Sequence, residues 1–144
     1  MKSVVLAAAA LALFAGIAQS ARALGRPVFV QFRAPSGNIG CGYIGGPVPE
    51  SLRCDIASGL QPRPHRPKGC THLAWGDSYT MNIKGRVGLT CHGDTVIRKG
   101  AKVIAYGTTW RRGGFECWSR TTGLRCRNGS GHGWFLSRER SYRF

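Results

Sequence analysis

Apolar and polar residues alternate along the chain in short stretches, and glycine or proline stands between these stretches every few residues. Residues Val28–Arg33 (VFVQFR) alternate in the way of a strand that buries one face. Almost nothing in the chain has the period of an amphipathic helix, about 3.6 residues. Frequent glycine and proline instead favour tight turns between short strands. The pattern therefore predicts an all-β fold.

Several of these stretches flank connections that are typical of β-hairpins. The predicted hairpins pair residues 38–43 with 51–56, 79–83 with 86–91, and 95–97 with 102–106, while residues 108–110, 115–119, 124–127 and 134–136 are further strands before a basic tail. We expect these elements to form a small disulfide-stapled sandwich or barrel of short antiparallel hairpins. Residues 61–68 hold three prolines among basic residues, so they are predicted to be an extended, solvated loop.

The first 23 residues have the features of a secretory signal peptide. Lys2 precedes an apolar run over residues 4–18, and residues 21–23 (ARA) form a small-x-small cleavage site. The alternative is an uncleaved membrane anchor, but the apolar run is shorter than the roughly 20 residues that span a bilayer. Cleavage after Ala23 would leave residues 24–144 as a single disulfide-rich β domain without a transmembrane segment. We expect a monomer that is secreted or associated with the cell wall.

All six cysteines lie after the predicted cleavage site, at Cys41, Cys54, Cys70, Cys91, Cys117 and Cys126. An even number of cysteines in a small exported chain predicts a disulfide framework. A zinc site is the alternative, but no two cysteines stand two to four residues apart and no matching histidine pair accompanies them. We therefore predict no metal and no cofactor.

Three Leu-x-Cys tripeptides, at residues 52–54, 89–91 and 124–126, recur at spacings of 37 and 35 residues. They suggest a weak three-fold repeat of hairpin units. If each unit closes its own hairpin, the disulfides are Cys41–Cys54, Cys70–Cys91 and Cys117–Cys126. This is one of the 15 connectivities that six cysteines allow. A turn at residues 120–123 would place Cys117 directly opposite Cys126, at the separation that a disulfide requires.

The chain is strongly basic, with 21 lysines and arginines against 6 acidic residues and a net charge of +15. Removal of Lys2 and Arg22 with the signal peptide lowers that charge to +13. Such an imbalance attracts anionic polymers, including nucleic acid and acidic envelope polymers, and anionic lipid head groups. The attraction is a salt-screened field and does not by itself define a site.

Few residues are suited to acid-base catalysis, and no nucleophile elbow, zinc-protease helix or phosphate-binding glycine loop is present. The one cluster with catalytic potential is His92 with Asp94, together with the glycine-flanked His132. If the fold joined them, the two histidines could act as base and acid, with Arg138 or Lys102 steadying a phosphate. Alternatively, Asp94 caps a turn and His132 occupies a tight bend.

Aromatic residues beside cations form a second candidate site, in the segments at residues 110–112 (WRR), 118–120 (WSR) and 134–140. On one strand face, such rings stack on bases or sugars while arginines meet phosphates or carboxylates. The predicted ligand-binding residues are Trp110, Arg111, Arg112, Arg120 and Arg138. The alternative places Trp118 and Trp134 in the core and leaves the arginines as a solvated rim.

Seven strings in one order resemble a family of small secreted actinobacterial proteins of unknown function. The strings are PSGNIGC at 35–41, RCDI at 53–56, WG at 75–76, CHGDTV at 91–96, AYG at 105–107, GLRCRN at 123–128 and GHGWFLSR at 131–138. The resemblance spans nearly the whole chain after the cleavage site. It implies that the six cysteines and the Gly-His-Gly segment belong to a shared architecture, and it implies no activity, substrate or catalytic residue.

The charge and the missing catalytic motifs together favour a non-enzymatic binding or cell-envelope-associated protein that engages anionic polymers. The first alternative is a small secreted hydrolase, similar to a nuclease, that uses His92 and His132. The second is an inhibitor or toxin-like module that presents residues 61–68 to a protein partner. Inhibitors of cationic wall-degrading enzymes should be acidic, so the sign of the charge disfavours that version. The sequence weighs against an enzyme without excluding one.

Overall fold

The computed structural model describes residues 25–144, so the predicted signal peptide at residues 1–23 lies outside the described residues. This part of the chain forms eleven β-strands and no α-helix. The all-β prediction is therefore confirmed. Within residues 25–144, no helix is long and apolar enough to cross a membrane.

The strands are β1 (Val28–Arg33), β2 (Ile39–Gly45), β3 (Ser51–Ile56), β4 (Ser78–Asn82), β5 (Gly88–Leu89), β6 (Lys102–Val103), β7 (Thr109–Arg112), β8 (Phe115–Arg120), β9 (Gly123–Arg127), β10 (Gly133–Leu136) and β11 (Ser141–Arg143). They form a six-stranded sheet in the order β5-β4-β3-β2-β1-β6 and a five-stranded sheet in the order β11-β10-β9-β8-β7. Neighbouring strands are antiparallel, except that β6 runs parallel to β1.

One hydrophobic core joins the two sheets into a sandwich. Leu52 and Met81 contribute to it from the six-stranded sheet, and Leu124 and Trp134 from the five-stranded sheet, each almost fully buried. The ring of Trp110 in β7 stacks on Phe32 in β1 with their centroids 4.3 Å apart. Strands β8 and β9 alternate between this core and the outer face, whereas β2 and β10 are buried at nearly every position.

Two of the three predicted hairpins and all three predicted disulfides are confirmed. Residues of β2 and β3 pair as expected, and Tyr79 in β4 stands opposite Leu89 in β5. The three disulfides are Cys41–Cys54, Cys70–Cys91 and Cys117–Cys126. The first joins directly opposed residues of β2 and β3, and the third joins directly opposed residues of β8 and β9. Disulfide staples thus fix one hairpin in each sheet.

Two expectations about the chain's middle are wrong. Residues 95–97 and 102–106 do not form a hairpin; β6 instead pairs with β1. The physical reason lies in the buried carboxylate of Asp55, which accepts hydrogen bonds from the Val96 amide at 2.9 Å and the Thr95 hydroxyl at 3.0 Å. The three Leu-x-Cys tripeptides do not mark three equivalent units, because the strands divide into sheets of six and five.

The basic tail is structured. Its residues form β11, an edge strand that pairs with β10 through Phe135 opposite Tyr142. The other edge of β11 is partly covered by the chain at Gln61, whose carbonyl accepts a hydrogen bond of 2.5 Å from the Ser141 amide. Residues 61–68 contain no strand and are mostly exposed, as the prolines predict. The C-terminus and this loop therefore lie side by side.

Candidate functional site

The outer surface of the five-stranded sheet carries a row of large side chains. Strand register aligns Trp118, Arg125, Phe135 and Tyr142 side by side across β8, β9, β10 and β11. Alternate residues of a strand point to opposite faces. Cys117, which adjoins Trp118 in sequence, is fully buried in the core, as are Cys126, Trp134 and Leu136. The row therefore faces away from the core.

Other residues whose side chains point to the same side of the sheet extend this row along the strands in both directions. We call this surface the arginine–aromatic face; it consists of the rings of Trp118, Phe135, Tyr142 and Phe144 and the guanidinium groups of Arg111, Arg120, Arg125, Arg127 and Arg140. All five arginines are exposed. The rings range from Phe135, which is 9% exposed, to Tyr142, which is 39% exposed. Cations thus form the outermost layer and rings lie beneath them.

Arginine side chains lie over these rings. Arg125 stands 3.7 Å from the centroid of Phe144, and Arg127 stands 5.0 Å from that of Trp118. Arg140 lies 5.3 Å from the Phe135 centroid and 5.7 Å from that of Tyr142. Phe135 and Tyr142 stack on each other at 5.3 Å. These cation–π contacts are favourable and hold the arginines against the sheet.

Two glycines let the phenylalanine rings lie close to the strands. A Cβ atom on Gly123, whose φ is +149°, would stand 2.6 Å from Phe135 Cζ. A Cβ atom on Gly133 would stand 2.8 Å from Phe144 Cζ. A backbone oxygen of a neighbouring strand would lie closer still, Leu136 O at 2.4 Å and Cys126 O at 1.9 Å. Glycine is therefore required at both positions by the close approach of backbone as well as of the rings.

Among the residues of β7 to β11 whose side chains point to this outer face, Glu116 is the one with an acidic side chain. It forms ion pairs with Arg111 and with Arg127, the latter at 2.8 Å. Burial opposes ionisation of this carboxyl, but hydrogen bonds from the two arginines outweigh burial and lower the pKa of Glu116. The face thus carries five arginines against one ionised carboxylate, and its net charge is strongly positive.

A basic cleft of 890 Å³ adjoins the face at β11. Its apolar surface comes from Tyr79, Val87, Tyr142 and Phe144. Its arginine and histidine side chains are those of Arg63, His65, Arg86, His132 and Arg143. The described lining includes no Asp or Glu side chain. Because Tyr142 and Phe144 belong to both the cleft and the face, the two surfaces are continuous.

The predicted ligand-binding residues fall in two clefts. Trp110, Arg111 and Arg112 all line a cleft of 600 Å³, and the partly buried Trp110 also packs against the core. Arg112 lies 5.3 Å from the ring of Tyr43. Arg120 and Arg138 both line a small cleft of 320 Å³ with the hydroxyls of a Thr-Thr turn. Of the predicted set, only Arg111 and Arg120 belong to the arginine–aromatic face.

The predicted core burial of the tryptophans is half right. Trp134 is fully buried, as the alternative interpretation expected. Trp118 is partly exposed on the outer face beneath Arg127. The difference follows from strand parity, because Trp134 stands opposite the buried Cys126 whereas Trp118 stands opposite the exposed Arg125.

His92 and Asp94 lie in a network of ion pairs at the edge of the other sheet. His92 Nε2 is 2.8 Å from an Asp77 carboxylate oxygen, and its Nδ1 contacts the Asp94 carbonyl. Arg53 Nη1 donates to Asp94 Oδ1 at 2.8 Å. This hydrogen bond lowers the pKa of Asp94. Asp94 therefore binds a guanidinium through its side chain.

The same arginine also binds a second, buried carboxylate. Asp55 is 1% exposed and accepts hydrogen bonds from Arg53 Nε at 2.8 Å and from the Ser78 hydroxyl at 2.7 Å. With the donors from residues 95 and 96, its oxygens are fully occupied. The network ties β3 to β4 and to the segment after His92, which is a structural role.

His132 lies elsewhere, beside the basic cleft. Its backbone amide donates to Asn128 Oδ1 at 3.1 Å, and the preceding Gly131 has a φ of +83°. The bend expected around this histidine is therefore present. His92 lines none of the clefts described here, and within residues 25–144 no hydrogen bond joins it to His132. The two histidines therefore have different partners and surroundings.

Sequence reasoning missed several residues of the face, namely Arg125, Arg127, Tyr142 and Phe144. Strand parity around Cys126 was the available signal, because an inward cysteine places both flanking arginines outward. The alternation of Tyr142 and Phe144 with polar residues likewise marks the tail as a strand.

In the described part of the chain, no three His, Cys, Asp or Glu side chains stand close enough to hold a metal ion.

Comparison with curated proteins and with solved structures finds no match to this chain. A family model does match, and its description is a family of unknown function, DUF6636. The match covers residues 7–144, which is nearly the whole chain. The protein therefore belongs to this family of unknown function.

Proposed function

We propose that this protein is a non-enzymatic binding protein whose arginine–aromatic face holds an anionic polymer. The observation that carries the proposal is the concentration of five arginines and four rings on one outer sheet surface with a single carboxylate. Sheet faces of this composition suit extended polyanions, because cations meet the charged groups and rings supply contact area.

The overall charge supports the same function but does not locate it. Between residues 25 and 144 only Arg53, Arg111 and Arg127 form salt bridges with carboxylates, so most of the basic side chains are free to meet a ligand. Such a surplus produces a field that steers polyanions toward the protein. A specific binding site can be distinguished from this general field because removing a charge from the site weakens binding more than removing an equal charge elsewhere on the surface.

An exported location fits this activity. Three disulfides in a small protein are consistent with an extracellular environment, where they form and persist. The signal peptide predicted at residues 1–23 would deliver the protein there. We propose that the protein acts outside the cytoplasm, either released or associated with the cell wall, where acidic envelope polymers and extracellular nucleic acid are the available polyanions.

The histidine-dependent hydrolase has less support, because His92 is engaged by Asp77 while His132 lies in the separate basic cleft. The inhibitor-like presentation of residues 61–68 is also weakened. Arg63 and Arg66 lie 4.5 and 5.8 Å from the ring centroid of Trp75, so two of the loop's cations are folded against the protein. Neither the histidines nor the loop at 61–68 therefore supports a function as well as the arginine–aromatic face supports polyanion binding.

The test is retention of the purified protein on cell-envelope material and on immobilised polyphosphate across a salt series. Two variants of equal charge are compared: Arg125→Gln/Arg140→Gln on the face, and Arg98→Gln/Lys99→Gln in an exposed turn that belongs to the six-stranded side. Residues 98 and 99 are exposed and form no salt bridge. The control therefore removes the same charge without touching the face.

We expect the face variant to elute at lower salt than the control variant on at least one of the two materials. Equal elution of the two variants on both materials would show that the protein binds only through its net charge. In that case the proposed site would be wrong, although the basic field would remain.

A further inference from the structure

We infer that the polymer bound by the arginine–aromatic face is a single-stranded nucleic acid. The inference rests on the proposed function and narrows it to a polymer that carries flat rings along a phosphate chain. The rings of the face carry the inference, because a polyanion without planar groups, such as polyphosphate, would not stack on them.

The aromatic residues of the face are not needed to fill the core. Trp110 and Trp134 already pack there, from strand positions that point inward. Trp118 and Tyr142, by contrast, occupy outward positions in the same row, and Tyr142 is 39% exposed. The guanidinium groups that lie over these rings, together with the exposed part of Tyr142, form a layer of planar groups on the outside of the sheet. Unpaired bases can stack on guanidinium planes and on rings, whatever their sequence.

The arginines supply the second half of the recognition. Arg125, Arg127 and Arg140 lie over rings of the face, so each guanidinium stands within reach of a base stacked nearby and of that base's phosphate. Arginine binds phosphate through paired N–H groups and also stacks on planar rings. Phosphate contacts hold the chain in place while stacking adds affinity for the bases.

The geometry favours a single strand over a duplex. Bases of a duplex are stacked on each other, so their flat faces are hidden from the planar groups of the sheet surface. Residues 25–144 form no α-helix that could enter a major groove. The basic cleft beside β11 continues the path of cations past Tyr142 and Phe144, with Arg86 and Arg143 in its lining. A flexible strand can follow this turn from the face into the cleft.

The test compares two ligands that share one backbone. The first is a labelled oligodeoxythymidylate of about 12 nucleotides, a length within the range that single β domains cover. The second is an abasic deoxyribose-phosphate chain of the same length and charge. Binding of each to the full protein is measured by fluorescence anisotropy at fixed salt, with a hairpin duplex as a third ligand. This comparison needs no mutation and does not depend on the folding of any variant.

A variant pair then locates the effect. Trp118→Leu/Tyr142→Leu removes two rings from the face. Phe29→Leu removes a ring that is 58% exposed on β1 of the other sheet and serves as the matched control. Thermal unfolding of both variants with disulfides intact shows whether either substitution acts through stability. This check matters because Tyr142 also stacks on Phe135 within the sheet.

We expect the thymidylate to bind at least tenfold more tightly than the abasic chain, from stacking of one or more bases. The double ring variant should lose that preference while retaining its affinity for the abasic chain, and Phe29→Leu should change neither. Equal affinity for the two chains would overturn the inference but leave polyanion binding intact. Tighter binding of the duplex would overturn it as well. If the protein bound none of the three ligands and neither envelope material nor polyphosphate, the proposed function itself would be wrong.

Discussion

Trp110 and Trp118 lie on adjacent strands of one hairpin but on opposite sides of the sheet. Trp110 stands opposite the buried Cys117 and stacks on Phe32 at 4.3 Å, whereas Trp118 stands opposite Thr109 and lies under Arg127 at 5.0 Å. The tryptophans of two similar motifs, WRR and WSR, therefore differ in environment because successive side chains of a strand point to opposite faces of the sheet. One tryptophan packs toward the core and the other lies on the proposed binding surface.

This division predicts opposite effects of two equivalent substitutions. Trp110→Ala should lower the free energy of unfolding by about 3 kcal/mol, because it leaves a cavity between the sheets. Trp118→Ala should cost much less stability and should instead weaken polyanion binding. Urea unfolding and a binding assay on both variants check the prediction. If Trp118→Ala were the more destabilising change, the outer face would be a packing surface and would lose its proposed role.

The number of phosphates that the arginines engage is measurable from salt dependence. Each phosphate contact to a single strand contributes about 0.7 to the slope of log affinity against log salt concentration. Arg125→Gln/Arg140→Gln should therefore make that slope shallower by about 1.4 with oligothymidylate. The Arg98→Gln/Lys99→Gln control should leave the slope nearly unchanged. A common slope for the wild type and both variants would mean that these arginines do not contact the polymer.

The buried carboxylate of Asp55 should be essential for stability and irrelevant to the face. Removing one partner of a buried ion pair typically costs about 3 to 5 kcal/mol. We expect a loss of that order for Asp55→Ala in the free energy of unfolding, because the Val96 amide would lose its acceptor and Arg53 would lose its buried one. Asp94→Ala, at a side chain that is 77% exposed, should cost less. Comparable losses would mean that the network depends on its exposed end.

The ion pairs of Glu116 predict a defined dependence on pH. Because the two arginines lower the pKa of Glu116 below its ordinary 4.5, the pairs stabilise the folded state above that value. Their contribution is lost as the pH falls through the lowered pKa. Arg111→Gln/Arg127→Gln should therefore lower the unfolding midpoint at about pH 6, and this deficit should shrink as the pH approaches about 2. A deficit that stayed constant over this range would show that the arginines stabilise the fold by contacts unrelated to Glu116.

Much of the fold followed from local patterns because the local and long-range interactions agree. The Thr-Thr-Gly turn set the register of β8 and β9, and that register placed Cys117 against Cys126. Alternation identified β1, and turn chemistry identified the β2–β3 and β4–β5 hairpins. In each case the partner strand is a sequence neighbour, so the pairing could be deduced without knowledge of the tertiary structure.

The errors arose where a distant residue decides the conformation. Residues 95 and 96 looked like half of a hairpin, but the carboxylate of Asp55, about 40 positions earlier, takes their hydrogen bonds. The composition of the arginine–aromatic face was hidden for a similar reason. Its row runs from Trp118 through Arg125 and Phe135 to Tyr142, and these residues become neighbours only when four strands align.

The most direct test of the central claim follows the four tryptophan indole N–H resonances during titration with oligothymidylate. Only Trp118 belongs to the arginine–aromatic face, while Trp134 is fully buried and Trp75 lies beneath the arginines of the loop at 61–68. We predict a saturable shift of the Trp118 resonance with little change at Trp134. A saturable shift at Trp75 alone, with Trp118 unmoved, would place binding on the loop and contradict the account.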